Sequence, residues 1–338
     1  MKGVSIVICC YNSGKRLIPT LKHLAKQQRL NGVDYEIILV ENNCTDDTVS
    51  IASQTWTDLG IPFSLVVVSQ PVPGLRYAKD KGVGVAKFNY IVMCDDDNWL
   101  CDTFIYNIYQ FFESMPNVAA IGGVGEAVFE TEPPGWFTIV EGFGYAVGDQ
   151  GRKTGFVEAV YGAGMAIRKD VYLAVNDGNH NPVLTGRTAM NLSSGEDVEM
   201  CLLLRKAGYH IFFDKSISFK HFITKHRLNW QYYLELRTSF GRASAYLQLY
   251  NKNQLTTAMP SYKKSRWKLF AWLFRLTASN IKYVLFPNYF KGKSCANFIQ
   301  YYSMVYTLFV DYKRIQFLAN DVIIKDKDIH PVAQINVF

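Results

Sequence analysis

The chain has 338 residues, a length that suits one large domain or two modest ones. Hydrophobic residues make up 49% and charged residues 19%, and this composition excludes an intrinsically disordered protein. The net charge of +7 is unevenly placed: residues 251–338 carry 13 Lys or Arg and 4 Asp or Glu, or +9, so residues 1–250 carry −2. The charge therefore predicts a mildly acidic body followed by a basic tail.

The cysteines and the N-terminus bear on the cellular compartment. Seven cysteines, an odd number without any C-x-x-C pair, are typical of reduced thiols in a cytoplasmic protein. The chain passes from Met1-Lys2 straight into an apolar run, so we expect no signal peptide. These features predict a cytoplasmic protein, and the basic tail extends the prediction to the inner face of the cell membrane.

Short apolar runs alternate with amphipathic segments through the first 120 residues. The runs are nearly continuous Val, Ile and Leu, the pattern of strands that helices cover on both faces. Strands are predicted over 4–9, 35–41, 63–69, 89–94 and 118–122. Helices are predicted over about 15–28, 46–56, 75–87 and 102–114. This alternation predicts an α/β fold with a doubly wound, mostly parallel sheet.

Distinctive polar groups stand at the ends of three predicted strands: CCYN at 9–12, ENN at 41–43 and DDDN at 95–98. The carboxyl ends of parallel strands meet at one edge of a sheet, and ligands of such folds bind outside that edge. We therefore expect these three groups to line one crevice.

The triplet Asp95, Asp96 and Asp97 follows directly on the apolar run YIVMC. Three adjacent carboxylates repel one another unless a cation neutralises them, and Mg²⁺ or Mn²⁺ would do so while leaving positions open for phosphate oxygens. A calcium loop is excluded, because Trp99 follows where that motif continues to a Gly. A solvated acidic turn is the alternative.

Five motifs occur in order along the chain: VSIVICCYN (4–12), YEIILVENNCTDDT (35–48), PGLRYAKDKGVGVAKFNYIVMCDDDN (73–98), YGAGMAIRKDVY (161–172) and GEDVEMCLLLRKAGYHIFFDKSISFKH (195–221). Together they resemble glycosyltransferase family 2, inverting enzymes of the bacterial surface-polysaccharide type, over about residues 3–235. The resemblance implies a GT-A fold, a doubly wound, mostly parallel sheet flanked by helices, here with a helical, basic C-terminal extension.

The resemblance also implies a division of the chain. A catalytic domain would cover residues 1–235, with a nucleotide-sugar half over 1–100 and an acceptor half over 101–235. A helical, basic and aromatic-rich region would follow over 236–338.

The donor implied by the resemblance is a nucleotide sugar, with a UDP-sugar favoured. Tyr11 would stack on the base, and Cys10 and Asn12 belong to the same base-binding turn. Glu41 stands where the family usually has an Asp that hydrogen-bonds uracil, and it is one methylene longer.

The family's Arg-Asn pair appears here as Lys79-Asp80. Lys79 keeps the positive charge but loses the bidentate geometry of a guanidinium. Arg76, one turn earlier on the same predicted helix, is the alternative source of a guanidinium for the donor.

The resemblance further implies a metal cofactor, Mn²⁺ or Mg²⁺. Asp96 would bind the ribose, and Asp95 and Asp97 would bind the metal. His221, after the strand-like run SISF, would be a further metal ligand. As a lone histidine it has an alternative explanation as a packed or surface residue.

Glu196 and Asp197 are predicted to lie in the first turn of a helix that opens after Gly195 and stops at Gly208. Pairing of these acids with the helix dipole is one explanation. The resemblance implies a second: Asp197 is the general base that deprotonates an acceptor hydroxyl, and Glu196 contacts or orients the acceptor.

Trp136 lies in a segment rich in Gly, Pro and aromatic residues, 131–151. It is predicted to stack on the acceptor sugar, and a core-anchored loop is the alternative. The basic tail interleaves aromatic and Lys or Arg residues, and charges interrupt its apolar runs well short of the roughly 20 residues of a spanning helix. We expect an anionic membrane surface as a partner, with packing on the catalytic domain as the alternative, and no nucleic acid.

The sequence thus predicts a metal-dependent inverting glycosyltransferase. It would move a sugar from a nucleotide-diphosphate donor to a hydroxyl of a glycan or lipid-linked acceptor. Two alternatives stay open. One is nucleotidyl transfer to a sugar phosphate. The other is a non-catalytic nucleotide-binding protein of the membrane surface, because Glu41 and Lys79-Asp80 differ from the family's usual residues.

Overall fold

The structure is a computed structural model of the chain. It describes residues 2–28, 32–149, 151–176, 183–184, 186–187, 192–250 and 260–325, the last six of these by their backbone alone.

The described residues form nine strands in a single sheet. The strands are β1 (Gly3–Cys10), β2 (Asp34–Glu41), β3 (Leu65–Ser69), β4 (Tyr90–Asp95), β5 (Asn98–Leu100), β6 (Val118–Phe129), β7 (Gly155–Val157), β8 (Ala166–Arg168) and β9 (His210–Ile223). The helices are α1 (Gly14–Ala25), α2 (Thr48–Asp58), α3 (Leu75–Val85), α4 (Phe104–Ser114), α5 (Gly135–Ile139), α6 (Lys169–Val175), α7 (Glu196–Lys206), α8 (Trp230–Leu247), α9 (Arg266–Ser279), α10 (Ile281–Leu285), α11 (Lys293–Val310) and α12 (Tyr312–Lys325), with a 3-10 helix at Lys225–Leu228 before α8.

The strand order is β3-β2-β1-β4-β8-β6-β9-β5, and β7 pairs with β9. β1 runs parallel to β2 and β4, and β2 runs parallel to β3, so the carboxyl ends of these four strands share one edge. Antiparallel pairs involve β8, β5 and β7, short strands that the apolar pattern did not predict. The predicted fold class is confirmed, with a parallel first half and a mixed second half.

Helices cover both faces of the sheet, as the nearly continuous apolar runs predicted. Successive residues of β1 point to opposite sides: Ile6 and Ile8 pack with α1, α2 and α4, whereas Val7 packs with α3, α6 and α7. Because both faces are buried, polar side chains of the parallel strands gather at the strand ends.

The helices after residue 260 pack on the body that contains the sheet. α8 and α11 approach closely at Gly241, where a Cβ would lie only 2.2 Å from the carbonyl oxygen of Gln300. An apolar cluster joins α7 and α8 to α9 and α11 through Leu203, Leu269 and Val305. Within the described residues, no helix has the length and hydropathy needed to cross a membrane. The predicted division at residue 235 stays a prediction.

Candidate active site

A cavity of about 650 Å³ opens at the sheet edge where β1, β2 and β4 end. Residues 95–97 line one part of its wall, and residues 161–163 and 194–198 line another. The sheet therefore brings the aspartate triplet and the start of α7 to one crevice, although about a hundred residues separate them in the chain.

The three aspartates have different partners. Asp96 is paired with Arg16, whose Nη2 lies 2.5 Å from Oδ2, and it accepts a hydrogen bond from the Ser13 hydroxyl. Asp97 accepts a bond from Arg227 Nη1 at 3.0 Å. Among the described residues, none donates a hydrogen bond to the Asp95 carboxylate. Asp96 and Asp97 thus each have an arginine of their own, and the Asp95 carboxylate is left for a ligand.

These environments shift the pKa values of the three aspartates in different directions. Burial, followed by the charge of Asp97, raises the pKa of Asp95 and also that of Asp96. Burial opposes ionisation of Asp97 too, but His221 and Arg227 outweigh it and hold the pKa of Asp97 well below its usual range. Asp97 is therefore the carboxylate that stays charged most firmly.

His221 faces Asp97 with one ring nitrogen fixed. Its Nδ1 lies 2.5 Å from the carbonyl oxygen of Tyr145, which can only accept, so Nδ1 is the donor and Nε2 is directed toward Asp97. Nε2 lies 3.5 Å from Asp97 Oδ1. A histidine that binds a metal usually donates its other N–H to a carbonyl, and two ligands about 2.1 Å from one ion lie roughly 3 Å apart. The pair therefore fits a divalent cation.

Arg227 competes for the same position. Its Nη1 lies 3.0 Å from Asp97 Oδ2 and 3.3 Å from His221 Nε2, so a guanidinium already supplies positive charge there. In the part of the chain that is described, no three His, Cys, Asp or Glu side chains are grouped to hold a metal. The two-residue pair, rather than the predicted trio with Asp95, is what the structure assembles.

The acid pair begins α7, as the sequence predicted. Gly195 has the left-handed φ of 95° just before the helix, and Gly208, with φ of 91°, follows its end. Two backbone N–H groups hold the Asp197 carboxylate: Gly162 donates to Oδ2 at 2.8 Å and Val198 to Oδ1 at 2.8 Å. Asp197 is thus oriented by the backbone and turned into the cavity.

Lys79 connects the two acidic groups. Its Nζ lies 3.4 Å from Glu196 Oε1, and it is buried. Burial acts to lower the pKa of Lys79, but the charges of Glu196, Asp95 and Asp197 outweigh it and raise that pKa. Burial, and then the neighbouring Glu196, raises the pKa of Asp197 despite Lys79. Asp197 is consequently a stronger base than an ordinary aspartate.

Most of the predicted site residues line this cavity: Cys10, Tyr11, Lys79, Asp95, Asp96, Asp97, Glu196, Asp197 and His221. Asn12, Glu41, Arg76 and Trp136 are not among its lining residues. Asn12 serves the turn itself: its φ is 50°, and its Oδ1 accepts a bond from Thr45 N at 2.8 Å.

Glu41 and Arg76 are engaged elsewhere. Glu41 accepts bonds from Cys44 N at 2.5 Å in its own loop and from Ser69 Oγ at 2.8 Å at the end of β3, so both of its oxygens are engaged. Arg76 Nε donates to both carboxylate oxygens of Asp80 at 3.0 Å. Lys79, rather than Arg76, is therefore the helix cation that faces the cavity.

Trp136 needs a correction. Its indole is buried against Trp230 and Tyr233 in an apolar cluster beneath the cavity wall, as the core-anchored alternative expected. Phe143 of the same segment is 41% exposed and lines the cavity instead. An aromatic-rich segment does not by itself indicate which ring is packed and which is accessible.

Sequence reasoning missed Arg16 and Arg227, the cations that neutralise Asp96 and Asp97. Arg16 follows β1 closely, within CCYNSGKRL, and Arg227 follows β9 by four residues. The signal available in the sequence was the position of each arginine, a short distance beyond a strand that ends in the crevice.

Comparisons with known proteins identify the family of the chain. The sequence pattern of glycosyl transferase family 2 matches residues 5–174, half of the chain, and that of glycosyl transferase family group 2 matches residues 90–310. The chain belongs to glycosyl transferase family 2.

Individual relatives match only part of the chain, at low sequence identity. Glycosyltransferase GlyG of Streptococcus pneumoniae serotype 4 is 31% identical over 120 residues, 35% of this chain and 38% of the relative. Glucosyl-dolichyl phosphate glucuronosyltransferase of Haloferax volcanii is 24% identical over 159 residues, 46% of this chain and 49% of the relative. The chain thus spans less than half the length of each. A crystal structure of S. aureus TarS 1–349 with UDP-GlcNAc has a TM-score of 0.48 and 15% identity, covering 98% of this chain and 90% of that one.

Proposed function

We propose that the protein is an inverting glycosyltransferase that moves a sugar from a nucleotide-diphosphate donor, with a UDP-sugar favoured, to a hydroxyl of a glycan or lipid-linked acceptor. One observation carries the proposal: a backbone-held carboxylate with a raised pKa, Asp197, lines the same cavity as the aspartate triplet. Membership of glycosyl transferase family 2 supports it.

The donor would bind along the strand ends. Tyr11, 46% exposed at the cavity wall, offers a ring for the base, and Asp96 offers carboxylate oxygens for the ribose. Lys79 and Arg227 are two cations of the cavity lining that would meet the diphosphate. Held by Asp97 and His221, Mn²⁺ or Mg²⁺ would supply positive charge for the leaving diphosphate.

Asp197 would take the proton of the acceptor hydroxyl. The hydroxyl oxygen bonds to the anomeric carbon as the bond from that carbon to the diphosphate breaks on the opposite face, so the configuration inverts. The proton passes to Asp197, whose N–H partners, Gly162 and Val198, keep the carboxylate in place. Glu196, paired with Lys79, would orient the acceptor.

The proposal is tested by incubating the full chain with a panel of nucleotide sugars, Mn²⁺, and glycan or polyprenyl-phosphate-linked acceptors. We expect acceptor-dependent release of nucleoside diphosphate and a product of inverted configuration. Release of pyrophosphate from a nucleoside triphosphate and a sugar phosphate would favour nucleotidyl transfer instead. Donor binding without any release would favour a non-catalytic protein.

We also propose that α9 and α10 rest on an anionic membrane surface. Trp267 and Phe274 of α9 are 82% and 69% exposed, and Phe286, just after α10, is 60% exposed. Arg275 and Lys282 are exposed among them. Exposed aromatic rings with basic neighbours are typical of segments that lie in the membrane interface. The Haloferax relative, named for glucosyl-dolichyl phosphate, supports a lipid-linked acceptor.

A further inference from the structure

A second cavity, of about 520 Å³, lies between the segment after α5, helix α8 and helix α11. Val140 and Phe143 form one side, Arg237 lines the α8 side, and Asn297 and Gln300 line the α11 side. Its lining is thus a mixture of aromatic, amide and cationic groups rather than a purely apolar packing defect.

Arg237 is the unusual member of this lining. The residue is only 6% exposed, and among the described residues no carboxylate pairs with its guanidinium. Its Nη2 donates to Asn297 Oδ1 at 2.5 Å, while its buried Nε has no hydrogen-bond partner. The guanidinium carbon lies 4.7 Å from the ring centre of Phe143 and 6.0 Å from that of Tyr233. Burial lowers the pKa of Arg237, and the neighbouring Tyr233 hydroxyl offsets this only in part.

A buried cation without a counter-charge is costly to keep, and such groups are normally paired or bound to a ligand. The other charges at this cavity are Lys293 and Glu141, which pair with each other at 2.6 Å near the surface. The Arg237 charge therefore stays unbalanced. The buried Oε1 of Gln300 also has no hydrogen-bond partner in the described structure, so beside the guanidinium this cavity offers an acceptor for a hydroxyl or N–H group.

The second cavity adjoins the candidate active site. Phe143 and Ser244 line both cavities, so the two share a wall on the side of α8. The second cavity therefore lies next to the cavity that holds Asp197, with Phe143 and Ser244 in contact with both.

We propose that the Arg237 cavity is a binding subsite for an anionic group, a phosphate or a carboxylate, carried by the acceptor. The subsite rests on the proposed transfer function for its role, but its binding chemistry does not. A guanidinium forms two parallel bonds to either anion, and the Phe143 ring next to it suits the apolar face of an attached sugar or chain.

Titration calorimetry of the full chain tests the subsite without any turnover. Inorganic phosphate and acetate are used as separate probes at constant ionic strength, so that the two kinds of anion are told apart. The variants are R237M, R237K and the control R242M, which removes the same charge from an exposed position of α8. We expect R237M to weaken one anion-binding event at least tenfold, R237K to weaken it less, and R242M to leave it unchanged.

Crystals of the wild type soaked in selenate, a phosphate mimic, provide the second measurement and do not depend on the folding of a variant. We expect anomalous density beside Arg237, in addition to any in the active-site cavity. Equal anion affinity of the wild type and R237M, or selenate absent from this cavity, would overturn the subsite. Either result would leave the proposed transfer reaction untouched, since that reaction is measured by diphosphate release.

Discussion

At the scale of single residues, the site depends on the different partners of its five acids, which are Asp95, Asp96, Asp97, Glu196 and Asp197. Asp96 and Asp97 each have an arginine partner, whereas Asp197 has only backbone donors and the shared Lys79. The paired acids are suited to hold positive or hydroxyl groups. Asp197, which backbone N–H groups hold in the cavity and no arginine neutralises, is the one suited to take up the proton of an acceptor.

Replacing Asp197 by Asn should remove the base while keeping the shape of the side chain. We expect kcat to fall by about 10²–10⁴-fold, the usual contribution of a positioned general base, with donor affinity unchanged. The measurements are steady-state diphosphate release and equilibrium binding of the donor. E158Q serves as the control, because Glu158 is an acid with a 73% exposed side chain. Near-normal turnover of D197N would refute the assignment.

The pH dependence follows from the raised pKa of Asp197, caused first by burial and then by Glu196. A base must be deprotonated, so activity is lost as the pH falls through this pKa. Because the folded-state pKa is raised, the acid limb of kcat/KM should lie above the value near 4 of an ordinary aspartate. Rate profiles at saturating Mn²⁺ test this expectation, and the residual activity of D197N should lack the limb. A limb at the ordinary aspartate value would contradict it.

His221 should matter for metal affinity independently of turnover. Its Nε2 is held toward Asp97 by the bond from Nδ1 to Tyr145, so H221A is expected to weaken Mn²⁺ binding by at least about tenfold. Electron paramagnetic resonance of free Mn²⁺ measures this without substrate. H226A is the matched control, since His226 is exposed and bonded to Thr224. Equal Mn²⁺ affinity of H221A and wild type would mean that His221 is only a packed residue.

At the scale of elements, the start of α7 and the contact between α8 and α11 support the two cavities. Gly195 lets the chain turn so that Glu196 and Asp197 enter the crevice together. α8 contributes to both cavity walls, and its position depends on the close approach of its backbone to α11 at Gly241. A change at this contact should therefore disturb the acceptor side before the donor side.

Gly241→Ala should destabilise the protein by about 1–3 kcal/mol, because the added Cβ would lie 2.2 Å from the Gln300 carbonyl oxygen and 2.7 Å from Ser303 Cβ. Gly84→Ala is the contrasting control: Gly84 lies in α3, and an added Cβ meets nothing within 4 Å. That change should be neutral or stabilising by about 0.5 kcal/mol. Urea denaturation of both variants gives the free energies of unfolding, and equal values would contradict the close helix contact.

At the scale of the whole molecule, the acidic body and the basic tail are not separate objects. α11 packs on α8, while α9 keeps large aromatic side chains exposed. One side of the C-terminal helices thus packs on the body, and the exposed aromatic rings of α9 are free to contact another surface.

W267S combined with F274S should reduce binding to vesicles that contain anionic lipid several-fold, since both rings are exposed and lie among basic residues. Each nearby Lys or Arg adds about 1 kcal/mol, so high salt should also weaken binding. Flotation of the protein with vesicles is the measurement. F156S is the control, because Phe156 is 62% exposed on the catalytic body. Equal flotation of both variants and wild type would exclude this surface.

The sequence by itself determined the parallel first half of the sheet and the crevice at its edge. Those follow from local patterns: apolar runs define buried strands, and polar residues directly after them must lie at the strand ends. It also placed Glu196 and Asp197 in the first turn of a helix, since Gly195 and Gly208 mark that helix in the sequence.

Only the tertiary structure decided which groups face one another. That Arg16 and Arg227 neutralise Asp96 and Asp97, that Glu41 bonds to Ser69 and Arg76 to Asn176, and that Trp136 is buried while Phe143 is accessible all depend on contacts between distant segments. The period of a strand or helix is encoded in neighbouring residues, whereas the partner of a charge is set by the packing of the whole chain. For the same reason, the unpaired guanidinium of Arg237 could not be recognised before α8 and α11 were seen together.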